Sequence, residues 1–211
     1  MVDRAYNFAA GPAVMPEPVL KRASSEMLNW HGCGMSVMEM SHRGSQFAEI
    51  YSEAKERFKR LLGVPDTHEV LFLQGGATAQ FAAIPLNLMD GRGADYAVTG
   101  NFSGIAAREA AKYGSVHIAY EGKGNGYTHI PTQSELDVDG ASAYFHYCAN
   151  NTIFGTAWDY VPETKGVPLV CDMSSEIMSH PVDVSRYALI YAGAQKNIAP
   201  AGLTVVVIDK S

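Results

Sequence analysis

Seven short apolar runs, separated by polar and turn-forming segments, constrain the fold of this chain more than any other feature of its sequence. They occupy residues 70–73, 96–99, 116–120, 143–148, 169–173, 188–192 and 203–208. The runs are rich in β-branched and aromatic residues, which favour strands. Several are almost continuously apolar, as strands covered on both faces are. The sequence therefore predicts a seven-stranded sheet with both faces buried.

Helical segments are predicted between or before the early runs. They occupy residues 16–29, 46–62, 78–88 and 102–113. In the second of these, apolar residues from Phe47 to Leu62 recur on one face of a helix, and Gly63 followed by Pro65 is typical of a helix end. Strands that alternate with helices favour an α/β layered domain with a mostly parallel sheet.

The charge and cysteine content argue against several classes of protein. Lys and Arg number 16 against 22 Asp and Glu, a net charge of −6, whereas binders of nucleic acid or anionic membranes carry a basic surplus. The three cysteines form no CxxC pair, which disfavours a disulfide scaffold or a zinc site. No stretch approaches the ~18 apolar residues of a membrane span, and the first residues lack the apolar core of a signal peptide. We expect a cytoplasmic globular protein that needs no metal.

The residues that follow each apolar run are the first candidates for a site, because ligands of open parallel sheets bind beyond the carboxyl ends of the strands. The run at 70–73 is followed by Gly75 and Gly76 and then by a helix predicted from Thr78. Glycines allow unusual backbone angles, and free N–H groups at a helix start bind phosphate. The alternative is an ordinary tight turn, because the segment is neither a P-loop nor GxGxxG.

Two further strand ends carry charged residues. Asp172 lies at the end of the run at 169–173, and Lys196 follows the run at 188–192. Such an aspartate is either a cap or turn residue, or a buried anion that holds a cation. Such a lysine is either a surface charge or, when desolvated, a reactive amine. If the two strands are parallel neighbours, both side chains lie over one cleft.

Together, the three strand ends match the chemical needs of pyridoxal 5′-phosphate. This cofactor needs N–H donors for its phosphate, a carboxylate for its ring nitrogen and a lysine for its aldehyde. The helix start after Gly76, Asp172 and Lys196 would supply them. A fourth candidate site is His42 with Arg43, just before the second predicted helix. The planar guanidinium suits a phosphate or carboxylate, and the alternative is an exposed salt-bridged pair.

Four segments of the chain resemble the phosphoserine aminotransferases, a family of fold-type-I, class-V aminotransferases that use pyridoxal phosphate. The segments read NFAAGPA at 7–13, MSHR at 40–43, GGATAQF at 75–81 and YAGAQKNIAPAGL at 191–203. The resemblance implies a three-layer α/β/α fold. It also implies transamination between glutamate and 3-phosphohydroxypyruvate in serine biosynthesis. A phospho-oxoacid of vitamin B6 biosynthesis is a second candidate substrate.

The resemblance also implies roles for individual residues. Lys196 resembles the lysine that forms a Schiff base with the cofactor and moves a proton, and Asp172 resembles the partner of the ring nitrogen. The remaining cofactor contacts that it implies are Gly76, Ala77, Thr78, Phe102, Thr152 and Gln195. His42 and Arg43 resemble the pair that binds the phosphate or distal carboxylate of the substrates.

Two features depart from the family pattern. The aromatic residue that stacks on the cofactor ring is usually Trp and here is Phe102, which has a smaller ring and no indole N–H. Family members also continue well beyond residue 211. We therefore expect an N-terminal arm at 1–15, a cofactor-binding large domain at 16–211, and a small domain outside this chain. The family's active sites are completed across a two-fold dimer, so the resemblance implies a homodimer with shared sites.

Three alternatives stay open at this point. The first is a non-catalytic domain that binds the cofactor or dimerises. The second is another fold-type-I enzyme, such as an alanine–glyoxylate aminotransferase or a cysteine desulfurase, although neither needs the phosphate subsite that His42 and Arg43 suggest. The third is a nucleotide-binding α/β domain, for which Gly75 and Gly76 alone are poor support.

Overall fold

Nine strands and four α-helices form within residues 4–211, the part of the chain that the computed structural model describes. The strands are β1 (His68–Leu73), β2 (Ala94–Val98), β3 (Val116–Glu121), β4 (Phe145–Cys148), β5 (Asn150–Asn151), β6 (Thr156–Ala157), β7 (Leu169–Asp172), β8 (Leu189–Gly193) and β9 (Thr204–Asp209). The helices are α1 (Glu17–Glu26), α2 (Ser45–Leu62), α3 (Gly76–Leu88) and α4 (Asn101–Ala110). Each apolar run of the sequence forms a strand, and each predicted helix is present.

Seven of the strands form one sheet, in the order β1-β9-β8-β7-β4-β2-β3. β7 lies between β4 and β8 and is parallel to both, whereas β9 runs antiparallel to both of its neighbours. The sheet is therefore mostly parallel, as the sequence predicted. The register pairs Asp172 with Tyr191, so β7 and β8 end side by side at one edge of the sheet.

Helices cover both faces of this sheet. α2 packs Phe58 and Leu62 into the hydrophobic core on one face. α3 and α4 pack Phe81, Ile84 and Ala107 into the core on the other face. Fully burying a large apolar side chain contributes roughly 1.5–3 kcal/mol to folding. The result is a three-layer α/β/α arrangement, which confirms the predicted fold class. None of the helices in the described residues combines the length and the apolar character that crossing a membrane requires.

Two helices end earlier than the sequence suggested. α1 ends at Glu26 instead of near residue 29, and it buries none of its residues, so tertiary packing does not extend it. α4 ends at Ala110, where the backbone N–H groups of Tyr113 and Gly114 both donate to the Ala110 carbonyl. Gly114 then packs closely against Met89, since a Cβ on it would lie 2.8 Å from the Sδ of Met89.

A small hairpin of β5 and β6 follows β4 and was not predicted, because each of its strands has only two residues. The backbone N–H groups of Phe154 and Gly155 donate to the Asn151 carbonyl and close its turn. This turn carries Thr152, whose side chain lines the same cavity as Asp172.

Candidate active site

A cavity of about 170 Å³ lies at the carboxyl edge of the sheet, where β4, β7 and β8 end beside the start of α3. Every cofactor contact that the sequence suggested lines it, namely Gly76, Ala77, Thr78, Phe102, Thr152, Asp172, Gln195 and Lys196. The cavity therefore gathers residues that are distant in sequence, in the way expected of a site at the strand ends of an α/β sheet.

The Lys196 side chain is half-buried in this cavity. Its Nζ donates a hydrogen bond to the Oγ1 of Thr152 at 2.6 Å and lies 5.2 Å from the centre of the Phe102 ring. Burial lowers the pKa of Lys196, and this effect outweighs the opposing effect of Asp172. A lowered pKa increases the fraction of neutral amine, which is the nucleophilic and basic form of lysine.

Asp172 is buried at the end of β7 and lines the same cavity. Its Oδ1 accepts a hydrogen bond from the backbone N–H of Ser174 at 2.9 Å, and its Oδ2 lies 3.9 Å from the Sγ of Cys148. Burial raises the pKa of Asp172, whereas Ser174, the charge of Lys196 and the Tyr191 hydroxyl lower it. A cationic N–H group in the cavity would supply the partner that a buried carboxylate needs.

The turn between β1 and α3 forms a cradle for an anion. Gly75 and Gly76 have φ angles of +97° and +67°, in the left-handed region that favours glycine. The first N–H groups of a helix have no acceptor within the helix, and the helix dipole adds partial positive charge there. Gly193 lies beside this turn, where a Cβ on it would be in van der Waals contact with the backbone nitrogen of Ala77, at 3.5 Å. An anion can therefore approach the backbone directly.

A row of hydrogen bonds orients the Thr152 hydroxyl. It accepts from Lys196 and donates to the Oγ of Ser175 at 3.1 Å, and Ser175 in turn donates to the Oδ1 of Asn150 at 2.9 Å. Neither Ser175 nor Asn150 was predicted. Ser175 closely follows β7, so the strand-end rule could have found it, whereas Asn150 belongs to a hairpin that the sequence does not reveal.

The N-terminal segment crosses the stem of Lys196. A Cβ on Gly11 would lie 2.9 Å from the Cγ of Lys196, and the backbone N–H of Ala13 donates to the Gln195 carbonyl at 2.8 Å. The sequence did not predict any contact of Gly11. The signal that could have drawn attention to it was the pair Gly11-Pro12. Residues 1–3 of the expected N-terminal arm lie outside the described residues.

His42 and Arg43 lie away from this cavity. Both are exposed in the turn before α2, and neither lines the cavity that holds Lys196. The backbone N–H of Arg43 donates to the Oγ of Ser41 at 3.2 Å and so stabilises the turn. This hydrogen bond does not involve the Arg43 guanidinium. A single copy of the chain therefore does not bring these two residues to the lysine, and their substrate role stays a prediction.

The three cysteines are free thiols, and Cys148 and Cys171 are buried. Burial raises the pKa of both of these thiols, so they stay protonated near neutral pH. Among residues 4–211, no group of three or more His, Cys, Asp or Glu side chains is placed to hold a metal ion.

Comparison with known proteins agrees with this geometry. A model of the family described as Aminotransferase class-V matches residues 5–211. The chain therefore belongs to the class-V aminotransferase family.

Within that family the chain is similar to phosphoserine aminotransferases. It is 54% identical to that of Pseudomonas fluorescens (strain SBW25) over 209 residues, which are 99% of this chain and 58% of that protein. The solved phosphoserine aminotransferase from Bacillus circulans subsp. alkalophilus superposes with a TM-score of 0.95 at 44% identity, over 98% of this chain and 58% of that one. The PLP-bound phosphoserine aminotransferase from Trichomonas vaginalis gives a TM-score of 0.91 at 39% identity, over the same shares. The chain thus spans a little under three fifths of the length of these relatives.

Proposed function

We propose that this chain carries the cofactor-binding part of an aminotransferase that uses pyridoxal 5′-phosphate (PLP). Its reaction would transfer an amino group from glutamate to 3-phosphohydroxypyruvate, giving 2-oxoglutarate and O-phosphoserine for serine biosynthesis. The observation that carries the proposal is the shared cavity of Lys196 and Asp172, which also faces the start of α3. Similarity to phosphoserine aminotransferases over nearly the whole chain supports the choice of substrates. The phospho-oxoacid of vitamin B6 biosynthesis is a second candidate acceptor.

The groups around the cavity fit PLP from one end to the other. The N–H groups of Ala77 and Thr78, with the side chains of Thr78 and Gln195, would hold the phosphate. The Asp172 carboxylate would hold the N–H of the ring nitrogen, and the amine of Lys196 would hold the aldehyde carbon. When bound, the cofactor supplies a sink for the electron pair of the broken Cα–H bond of the substrate.

Lys196 would move the proton of the reaction. Burial lowers its pKa, which increases the fraction of neutral Nζ that can take a proton from the substrate Cα. A well-placed general base contributes roughly 10²–10⁴-fold to such a step. The Thr152 hydroxyl donates to Ser175 and so presents its oxygen to Lys196, which holds the Nζ inside the cavity.

Asp172 would keep a proton on the cofactor's ring nitrogen. Its Oδ1 accepts a hydrogen bond from the backbone N–H of Ser174. Its Oδ2 has the thiol of Cys148 as a neighbour, and a thiol is only a weak donor. Oδ2 can therefore accept a strong, charge-assisted hydrogen bond from the ring. This bond would offset the free energy that burying the carboxylate costs.

Phe102 would lie against the flat face of the cofactor. The residue stands in the first turn of α4 and is 39% exposed, so the ring has open surface. Its ring is smaller than the indole that the family resemblance leads us to expect, and it offers no N–H donor. We therefore expect weaker stacking than a Trp would give.

We also propose a two-fold homodimer in which His42 and Arg43 of one copy complete the cavity of the other. Apolar side chains in the segment before this pair are highly exposed, with Leu28 at 85% and Met38 at 84%. Exposed apolar patches drive association, and two-fold dimers are its commonest outcome. The interface would bury well over the ~1,000 Å² that marks specific association.

The domain organisation follows from the same proposal. Residues 1–15 would form an arm and residues 16–211 a large domain, and a small domain would lie in the part of the relatives that this chain does not span. The free buried thiols of Cys148 and Cys171 favour a reducing compartment, which supports a cytoplasmic location.

The proposal is tested by loading the 1–211 chain with PLP and assaying O-phosphoserine formation from glutamate and 3-phosphohydroxypyruvate. Wild type and the control Lys123→Arg, at an exposed lysine, should show a bound-cofactor absorbance band that Lys196→Arg lacks. Product should form with 3-phosphohydroxypyruvate and not with glyoxylate. Cofactor binding without product would favour the non-catalytic alternative. Failure of the wild-type chain to bind PLP would contradict the proposal.

A further inference from the structure

Behind Asp172, two buried side chains on neighbouring strands are linked by a hydrogen bond. The Nε2 of His146, on β4, lies 2.8 Å from the hydroxyl of Tyr191, on β8. Both residues are at most 1% exposed. Neither belongs to the cofactor contacts described above, and the sequence assigned neither of them a role, although Tyr191 opens the segment at 191–203 that carries the resemblance.

The strand register places this pair on the face of the sheet that carries the Asp172 side chain. Tyr191 is paired with Asp172 itself, and His146 is paired with Val170, two residues before Asp172. Side chains of paired residues share a face, and so do those of residues two apart on one strand. To reach His146 on β4, the Tyr191 side chain crosses β7 beside Asp172, and its hydroxyl lowers the pKa of that carboxyl.

The His146 ring is neutral and fixed in orientation. Burial lowers its pKa to about 3. Tyr96 stacks on the ring at a centroid distance of 4.7 Å and an interplanar angle of 26°, and the hydroxyl of Tyr96 is itself tied to that of Tyr144 at 2.7 Å. Within the described residues, the Nδ1 of His146 has no hydrogen-bond partner. Nε2 is thus the ring nitrogen through which His146 acts on its surroundings.

A neutral imidazole has one donor and one acceptor nitrogen, so the bond to Tyr191 can run in either direction. If Nε2–H donates to the Tyr191 oxygen, the Tyr191 proton is free to donate to Asp172. If Tyr191 donates to Nε2 instead, the lone pairs of its oxygen face the Asp172 carboxylate, which is repulsive. The proton of the His146 ring is then on Nδ1, where it is buried without an acceptor. When Asp172 is ionised, the favoured direction is therefore the one in which the Nε2–H of His146 donates to Tyr191.

We propose that Tyr191 and His146 are positioning residues for Asp172: the Nε2–H of His146 donates to the Tyr191 hydroxyl, which donates to the carboxylate and holds it ionised for the cofactor's ring nitrogen. The inference rests on the proposed function, since PLP is the ligand that supplies this nitrogen. The other groups that face Asp172 are Cys148 from β4, Lys196 from the loop after β8, and the N–H of Ser174. Of the side chains from the sheet that face Asp172, Tyr191 offers an O–H donor, which is stronger than the thiol of Cys148.

The first test needs no cofactor. Two-bond ¹⁵N–¹H correlation spectra of the ¹⁵N-histidine-labelled 1–211 chain report which ring nitrogen of each histidine carries the proton. The chain has 7 histidines, so His146→Gln identifies the signal by its loss. We expect His146 to be neutral at pH 7 with its proton on Nε2. A proton on Nδ1, or a charged ring, would overturn the hydrogen-bond direction on which the inference depends.

The second test compares two tyrosine-to-phenylalanine variants that each remove one buried hydroxyl. Tyr191→Phe removes the donor to Asp172, whereas Tyr187→Phe removes a hydroxyl that bonds Tyr147 at 3.1 Å within the core on the other face. Losing a hydrogen bond to a buried charge predicts roughly tenfold weaker PLP binding by Tyr191→Phe. Tyr187→Phe should bind as wild type does. Equal losses in both variants, or none in Tyr191→Phe, would overturn the proposal.

The pH dependence of binding separates positioning from a merely structural role. Without the Tyr191 donor the pKa of Asp172 rises, so on acidification Tyr191→Phe should release PLP at a higher pH than wild type. His146→Gln, whose amide N–H can still donate to Tyr191, should keep the wild-type profile, and His146→Leu should follow Tyr191→Phe. Identical profiles for all variants would contradict the inference while leaving PLP binding by the wild type, and hence the proposed function, intact.

Discussion

Gly11→Ala should disturb Lys196 without destabilising the fold. The added Cβ would lie 2.9 Å from the Cγ of Lys196, whereas ordinary van der Waals contact begins at 3.4 Å, so the arm or the lysine stem must move by about 0.5 Å. The 2.6 Å bond from Nζ to Thr152 would then be strained. Since misplacing a reacting group by 1 Å can cost about 100-fold in rate, half that shift predicts roughly tenfold slower bonding of Lys196 to PLP.

The assay follows the absorbance change when PLP is mixed with the 1–211 chain, with thermal unfolding measured in parallel. The melting temperature should change little, because the roughly 0.4–1 kcal/mol that Gly→Ala contributes by restricting the unfolded chain opposes the local cost of this shift. Gly124→Ala is the matched control, since a Cβ there meets nothing within 4 Å. Wild-type kinetics in Gly11→Ala would refute the packing of the arm on Lys196. Equal slowing in both variants would show that the effect is not local.

Three further changes test other parts of the site. Gly76→Val should weaken PLP binding at least about tenfold in a fluorescence titration, because φ of +67° strains a β-branched residue; unchanged affinity would count against the anion cradle. Asp172→Asn should also weaken PLP binding at least about tenfold, yet leave the cofactor-free chain no less stable to urea, since it removes a buried charge. The exposed Asp159→Asn serves as its control and should change neither property. Burial lowers the pKa of His146 from 6.5 to about 3. Between these two pH values the unfolded chain binds a proton on His146 that the folded chain does not bind. His146 therefore makes the free energy of unfolding fall on acidification by up to about 1.4 kcal/mol per pH unit. Urea unfolding at pH 6 and pH 4 should show a smaller fall for His146→Gln, and equal falls would contradict the assignment.

The strands could be predicted because burial on both faces leaves a direct mark on the sequence. The direction of β9 is harder to read, since an apolar run looks the same in either direction. The signal was the connection from β8, residues 194–203, which contains no helix. A parallel crossover needs a dozen or more residues and usually a helix, so a short connection favours an antiparallel neighbour.

The site was partly predictable for a similar reason. Asp172, Lys196 and the Gly75–Gly76 turn all stand at strand ends, where ligands of α/β sheets bind, and the structure gathers them in one cavity. The contacts of Gly11, and the bond between His146 and Tyr191, depend on how distant segments pack. Such packing leaves no local pattern, because a buried His or Tyr in a strand reads as an ordinary core residue.

His42 and Arg43 show a different limit. Their residue types suggest binding of a phosphate or carboxylate, yet the fold of one copy leaves them exposed and apart from Lys196. Where a site is completed by a second chain, the position of such residues is set by the interface between copies. Light scattering of the 1–211 chain at micromolar concentration addresses this directly, since a monomer would remove the basis for a shared site.

The central claim, that Lys196 and Asp172 form a PLP site, is tested most directly by borohydride reduction of the PLP-loaded 1–211 chain followed by peptide mapping with mass spectrometry. Reduction fixes the cofactor to the amine that holds it. We predict one stoichiometric adduct, on Lys196, whose amine is half-buried in the cavity with a lowered pKa. An adduct on another lysine with Lys196 unmodified, or no adduct at saturating PLP, would contradict the claim.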